Sequence, residues 1–101
     1  MSDPRPAVVH DEQGGRFTVT ADGETAELVY HKTGSQIVFM HTGVPAALEG
    51  RGIGSALAKA GLEYARAEGL EVVPLCPFVR GYIERKPEYQ GLVQKSSGGF
   101  A

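Results

Sequence analysis

The sequence has only one cysteine, Cys76, and this scarcity excludes several classes of small protein. No disulfide can form within the chain, so a domain held together by disulfides is ruled out. A lone thiol also favours a reducing, cytoplasmic location. The three histidines are scattered and lack the spacing of zinc ligands, so the sequence predicts no metal site.

The chain also lacks an excess of basic residues and a long apolar run. Its 10 Lys and Arg against 12 Asp and Glu give a formal net charge of −2. Proteins that bind nucleic acids or membrane surfaces leave a basic footprint, so neither partner is expected. No apolar run approaches the roughly 20 residues that span a bilayer, and no signal-peptide pattern opens the sequence.

The overall composition of the chain is typical of one small globular domain. Apolar residues make up 42% of the chain and charged residues 22%, which argues against disorder. We therefore predict a single domain over residues 1–101, with a core at about 7–93 and a frayed tail at 94–101.

The first half of the chain is predicted to form an antiparallel meander. Asp22–Gly23 is a strong hairpin signal, and Ala26, Leu28 and Tyr30 alternate with polar or smaller side chains as in a strand. The unbroken apolar run Ile37–Met40 favours a central strand covered on both faces. The predicted strands are Ala7–His10, Arg16–Thr20, Glu24–Lys32 and Gln36–Val44.

After Val44 the spacing of the apolar residues becomes that of a helix. The pattern predicts a helix over Gly52–Glu68, a strand over Glu71–Cys76 and a second helix over Pro77–Lys86. A strand–helix–strand path favours a right-handed crossover and parallel pairing. The predicted fold class is therefore α+β (α/β), a mixed sheet in which the meander leads into a parallel strand pair beside two helices.

The sharpest motif is the segment Glu49–Ser55, whose glycines lie between a strand and a helix. The first N–H groups of a helix have no internal partner, and with the helix dipole they form an anion site suited to phosphate or pyrophosphate. The alternative is a tight turn with no ligand. A Walker A loop is excluded because no Gly-Lys-Ser/Thr follows, and the dinucleotide fingerprint is excluded because Leu57 replaces its third glycine.

Three segments in this order resemble the GNAT superfamily of acyl-CoA-dependent N-acetyltransferases. They are His41–Pro45, with its His-Thr-x-Val-Pro strand end, Gly50–Leu57, with Gly-x-Gly at a helix start, and Val73–Val79, with Pro-x-Cys. The resemblance covers about residues 7–93 and is to the minimal family of the YjdJ type. It implies a sheet whose two parallel strands splay apart to admit the pantetheine arm of coenzyme A.

The resemblance also implies which residues bind the co-substrate, acetyl-CoA or coenzyme A. Backbone N–H groups of the glycine loop would hold the pyrophosphate. Glu49 stands where the family usually has Gln or Arg, so we expect its carboxylate to face solvent and Arg51 to supply positive charge. The predicted binding residues are Thr42, Val44, Gly50, Arg51, Gly52, Ile53, Gly54, Ser55 and Arg85.

Two residues are candidates for catalysis. Cys76 precedes Pro77 at a predicted helix start, where the dipole favours a thiolate that could accept an acetyl group or a proton. The alternative is a buried, structural thiol. His41 is a possible base, predicted to share a face with Ile37 and Phe39 as far as a bulge at Gly43 and to reach Cys76. Its alternative is a core histidine.

The implied function is transfer of an acetyl group from acetyl-CoA to a primary amine. The chain is short for the superfamily, so an open groove is expected, suited to a protein or peptide lysine. The first alternative is a module that binds coenzyme A or acyl-CoA without turnover. The second is a domain in which the glycine loop has only a structural role.

Overall fold

The computed structural model describes residues 7–93, so the predicted tail at 94–101 lies outside the described part. Within these residues the chain forms five strands and two α-helices. The strands are β1 (Val9–Asp11), β2 (Arg16–Ala21), β3 (Glu24–Thr33), β4 (Gln36–Gly43) and β5 (Glu71–Pro74). The α-helices are α1 (Ile53–Glu68) and α2 (Pro77–Arg85), and short 3₁₀ helices cover Ala46–Leu48 and Pro87–Leu92.

The five strands form one sheet in the order β1-β2-β3-β4-β5. The first four are antiparallel neighbours, and β5 pairs parallel to β4 after the α1 crossover. The predicted mixed sheet is thus confirmed. The fifth strand is shorter than predicted: it ends at Pro74, which has no N–H to donate to a further rung of the ladder.

Both α-helices pack against one face of the sheet. Helix α1 contacts β2, β3, β4 and β5, and α2 packs on α1, β4 and β5. Gly61 lets α1 approach closely, since a Cβ there would lie 2.8 Å from the ring of Phe39. The core therefore lies between this face and the helices, with Leu28, Ile37, Phe39, Leu57, Leu62 and Val72 among its fully buried side chains.

The opposite surface, which we call the outer face, has no helix on it in residues 7–93. It is formed by alternate strand residues, none of them buried: Arg16, Thr18, Thr20, Glu27, Val29, His31, Val38, Met40, His41 and Val73. Strand β4 is central, as predicted. The prediction that it is covered on both faces is wrong for the described part of the chain, since Val38 is half-buried and Met40 is exposed.

A β-bulge in β4 changes which side chains face the core. Tyr30 pairs with Phe39 but Val29 pairs with His41, so Met40 is an extra residue in the ladder. The alternation shifts there by one residue, and both Met40 and His41 point to the outer face. The bulge that was predicted at Gly43 therefore occurs earlier in the strand, at Met40. The prediction that His41 shares a face with Ile37 and Phe39 is wrong.

One partly buried hydrogen bond ties the C-terminal 3₁₀ helix to α1. The Tyr89 hydroxyl donates to the Glu63 carboxylate at 2.6 Å. This hydrogen bond, helped by Arg66, lowers the pKa of Glu63 from its ordinary value of 4.5. Burial and the same hydrogen bond raise the pKa of Tyr89. The bond therefore stabilises the fold in the form with an ionised Glu63.

Tyr89→Phe should remove part of the acid sensitivity of the fold. A carboxyl with a depressed folded-state pKa contributes stability above its unfolded pKa and loses it as the pH falls through the folded value. The variant should be less stable than the wild type at neutral pH, and the difference should shrink below about pH 4.5. Urea unfolding at several pH values measures this, with Tyr82→Phe as a control that keeps the Tyr89–Glu63 bond. Parallel pH profiles for Tyr89→Phe and wild type would contradict it.

Candidate active site

The glycine loop runs from the end of β4 to the start of α1. The 3₁₀ turn Ala46–Leu48 anchors it through the fully buried Leu48. Gly50 and Gly52 then adopt positive φ angles of 82° and 75°, which side chains beyond glycine rarely accept. These two glycines turn the backbone so that α1 begins at Ile53, as the sequence predicted to within a residue.

Helix α1 begins without a side-chain cap. Gly52 occupies the N-cap position in the left-handed conformation and has no side chain to accept a hydrogen bond. The first helical bond runs from the Ala56 N–H to the Gly52 carbonyl at 3.0 Å. The N–H groups of Ile53, Gly54 and Ser55 precede it and have no acceptor within the helix. They are available to an external anion.

A cavity of about 680 Å³ opens directly in front of these N–H groups. Seven of the nine predicted coenzyme-binding residues line it, namely Thr42, Val44, Gly50, Gly52, Ile53, Gly54 and Ser55. Gly43, Leu48, Glu49 and Phe78 complete the lining. The cavity thus extends from the start of α1 to the end of β4.

Arg51 is not arranged as the sequence suggested, whereas Glu49 is exposed. The Arg51 guanidinium forms a salt bridge with Asp22 at 2.7 Å and is not among the residues that line the cavity. Glu49 is exposed, which agrees with the expectation that it faces solvent, and it is also among the residues that line the cavity. No basic side chain is therefore among the residues that line the cavity.

Arg85 also lies away from the cavity. It is in the last turn of α2, with its guanidinium 5.9 Å from the centre of the Tyr82 ring. Phe78 stands seven residues earlier on the same side of the helix, a separation of about 10 Å along the axis. Arg85 could thus meet only a part of a ligand that extends past Phe78.

Phe78 is a cavity residue that the sequence analysis missed. Its ring packs on the first turn of α1, where a Cβ at Gly54 would lie 2.7 Å from the ring. The side chain remains 41% exposed and forms a wall of the cavity. The only signal in the sequence was its place in the first turn after Pro77, which does not reveal the direction of the ring.

The two parallel strands stop pairing before β4 ends. Pairing between β4 and β5 ends at Phe39 and Pro74, whereas β4 continues to Gly43. One further bond, from the Cys76 N–H to the Phe39 carbonyl at 2.9 Å, holds the start of α2 beside β4. The bulge at Met40 and the missing N–H of Pro74 therefore fall together where the strands diverge.

Cys76 lies at this divergence. It is the N-cap of α2 with Pro77 in the first turn, as predicted. The thiol is only 2% exposed and lies 3.1 Å from the Thr42 hydroxyl. Thr42 lines the cavity and Cys76 does not, so the hydroxyl stands between the thiol and the cavity. This burial agrees with the alternative that Cys76 is a structural thiol rather than a catalytic one.

His41 does not face Cys76. The bulge places His41 on the outer face opposite Val29, whereas Thr42 pairs with the buried Leu28 and turns inward. The predicted nucleophile–base pair between Cys76 and His41 is therefore wrong, because adjacent residues of a strand point to opposite faces. His41 is exposed beside the divergence, open to a group that approaches from the outer face.

No helix within 7–93 is long and apolar enough to cross a membrane. In the same part of the chain, no three His, Cys, Asp or Glu side chains are grouped as metal ligands would be.

A family model, similar proteins and a solved structure all indicate the same family. The model of the GCN5-related N-acetyl-transferase family matches residues 16–92. Protein NATD1 from Gallus gallus and from Mus musculus is 39% identical over 83 residues, covering 79% of this chain and 76% of each relative. The NMR solution structure of a GCN5-like protein from Staphylococcus aureus superimposes with a TM-score of 0.69 at 30% identity, covering 87% of both chains. The chain belongs to the GCN5-related N-acetyltransferase family.

Proposed function

We propose that the protein is an acetyl-CoA-dependent N-acetyltransferase that acts on a primary amine. The observation that carries this proposal is the uncapped start of α1, whose free N–H groups open into a cavity that extends to the end of β4, beyond its last pairing with β5. A pyrophosphate at a helix N-terminus with an acyl arm directed along the cavity would match both features.

The residues of the cavity fit the proposed ligand in chemistry as well as in shape. The N–H groups of Ile53, Gly54 and Ser55 would donate to pyrophosphate oxygens, and the positive end of the α1 dipole would stabilise their charge. Val44 and Phe78 offer apolar contacts to an uncharged arm. Arg85 is the proposed partner of a more distant phosphate. No basic side chain lines the cavity, so the backbone donors would dominate binding.

Acetyl-CoA would supply a thioester whose acyl carbon bonds to the amine nitrogen as the carbon–sulfur bond breaks and the sulfur takes up a proton. The roles of this chain are to orient the acyl group and to accept the proton of the amine. Thr42 presents its hydroxyl to the cavity, held by the sulfur of Cys76. His41 is the proposed proton acceptor for an amine that arrives from the outer face.

Calorimetry with coenzyme A and a transfer assay that measures released thiol test the proposal together. We expect coenzyme A to bind, and acetyl-CoA to release thiol only when a lysine-containing peptide is present and becomes acetylated. Binding without transfer would favour the first alternative, a coenzyme A module without turnover. Absence of binding at millimolar coenzyme A would leave the glycine loop with a purely structural role.

A further inference from the structure

Arg51 is the basic residue nearest in sequence to the free N–H groups of α1, yet its charge is directed elsewhere. It lies between Gly50 and Gly52, just before Ile53, where the free N–H groups begin. Its guanidinium is bound to the carboxylate of Asp22 at 2.7 Å and does not line the cavity. Asp22 therefore holds a positive charge that could otherwise be placed beside an anion at the start of α1.

The β2–β3 hairpin brings Asp22 to the glycine loop. Its φ of 53° is in the left-handed region, and together with Gly23, at 77°, it forms the turn between the two strands. Farther along β3, Glu27 pairs with Gly43 at the end of β4, and Gly43 lines the cavity. Because β3 and β4 are antiparallel, the tip of the hairpin lies beyond Gly43, at the same end of the sheet as the glycine loop.

We propose that Asp22 limits the affinity of the protein for coenzyme A by competing with the pyrophosphate for Arg51. The inference rests on the proposed function. The Arg51 and Asp22 side chains are 49% and 63% exposed, and exposed ion pairs contribute little free energy. A guanidinium binds phosphate oxygens more strongly, through paired, charge-assisted hydrogen bonds. A bound pyrophosphate would therefore take the guanidinium from Asp22, and the affinity would be lower by the free energy of the broken pair.

The exchange of partners requires only a local movement. An arginine side chain changes direction by rotation about its own bonds, so the backbone of Gly50 and Gly52 can stay in place. The free N–H groups of α1 would keep their positions, and Arg51 would add to them the basic group that the lining of the cavity lacks. Asp22 is thus a positioning residue: it does not touch the co-substrate, but it determines where Arg51 places its charge.

Asp22→Asn tests the inference because it removes the charge and keeps the turn. Asn accepts the left-handed conformation as Asp does, and Asn-Gly is a preferred pair in hairpin turns, so the fold should be retained. Calorimetry should show coenzyme A binding about twofold to fivefold tighter than in the wild type, as for one exposed ion pair. In the Arg51→Ala background the same substitution should not change the affinity. Glu24→Gln, which removes a carboxylate of the same hairpin that forms no salt bridge with Arg51, should leave the affinity at the wild-type value.

The outcomes separate this inference from the proposed function. If Asp22→Asn tightened binding equally with and without Arg51, Asp22 would act only through long-range charge, and the inference would be overturned. Unchanged or weaker binding in Asp22→Asn would overturn it as well, and a wild type that still binds coenzyme A would leave the proposed function standing. A wild type that binds no coenzyme A would remove both. Urea unfolding completes the test, since a merely structural pair would change the free energy of unfolding in Asp22→Asn without tightening binding.

Discussion

Gly52→Val is expected to weaken coenzyme A binding by about tenfold to a hundredfold while the protein stays folded. Gly52 has a φ of 75°, which a β-branched residue avoids, and beyond its chain neighbours no atom lies within 4 Å of where a Cβ would stand, so the strain is in the backbone alone. Relief of that strain rotates the peptide groups that aim the first N–H donors of α1. One charge-assisted hydrogen bond lost at the pyrophosphate costs about 1.5–3 kcal/mol, which gives this range.

Two control variants show whether the loss comes from the site or from general instability. Gly34→Val introduces the same strain, at φ 55° in open space, in the β3–β4 turn at the other end of β4 from the glycine loop. It should lower the free energy of unfolding by a similar amount, about 1–2 kcal/mol, without changing coenzyme A affinity. Arg51→Ala should change affinity less than Gly52→Val, because Arg51 is bound to Asp22. Calorimetry and urea unfolding give both quantities, and wild-type affinity in Gly52→Val would refute the backbone site.

The fold could be predicted from the sequence because its signals are local. Asp22–Gly23 gives the β2–β3 hairpin, and the helical period begins at the glycine loop. The crossover through α1 leads to parallel pairing of β4 and β5, since a helix connects consecutive strands of one sheet. The free N–H groups at the start of α1 follow from the same local pattern, whereas the seven predicted residues that line the cavity were implied by the resemblance to the family.

The side-chain arrangement could not be predicted because it depends on contacts distant in sequence. The extra residue at Met40 is defined only by pairing with Val29 and Tyr30, and it reverses the face of every later residue in β4. A continuous run of apolar residues hides such a shift, since no polar alternation marks the faces. Arg51 likewise meets Asp22 across the fold, a partner that no local pattern indicates.

The positions of His41 and Cys76 predict opposite outcomes for two variants. If His41 accepts the amine proton on the outer face, His41→Ala should lower kcat/KM by about a hundredfold at neutral pH, the usual contribution of a general base. The loss should shrink as the pH approaches about 10.4, because a lysine amine then loses its proton without help. His31→Ala, another exposed histidine of the same face, should have no comparable effect. An unchanged rate in His41→Ala would remove it from the mechanism.

Cys76→Ala, in contrast, should retain activity within about tenfold of the wild type. In a two-step route the Cys76 sulfur would bond to the acetyl carbon, its proton would pass to the coenzyme sulfur, and the amine would then displace the thiol. That route needs a reachable thiol, yet Cys76 is 2% exposed behind Thr42 and on the face opposite His41. Direct transfer needs from Cys76 only its hold on the Thr42 hydroxyl, which Cys76→Ser would largely preserve. Mass spectrometry after incubation with acetyl-CoA should find Cys76 unmodified, and an acetylated Cys76 together with an inactive Cys76→Ala would establish the covalent route instead.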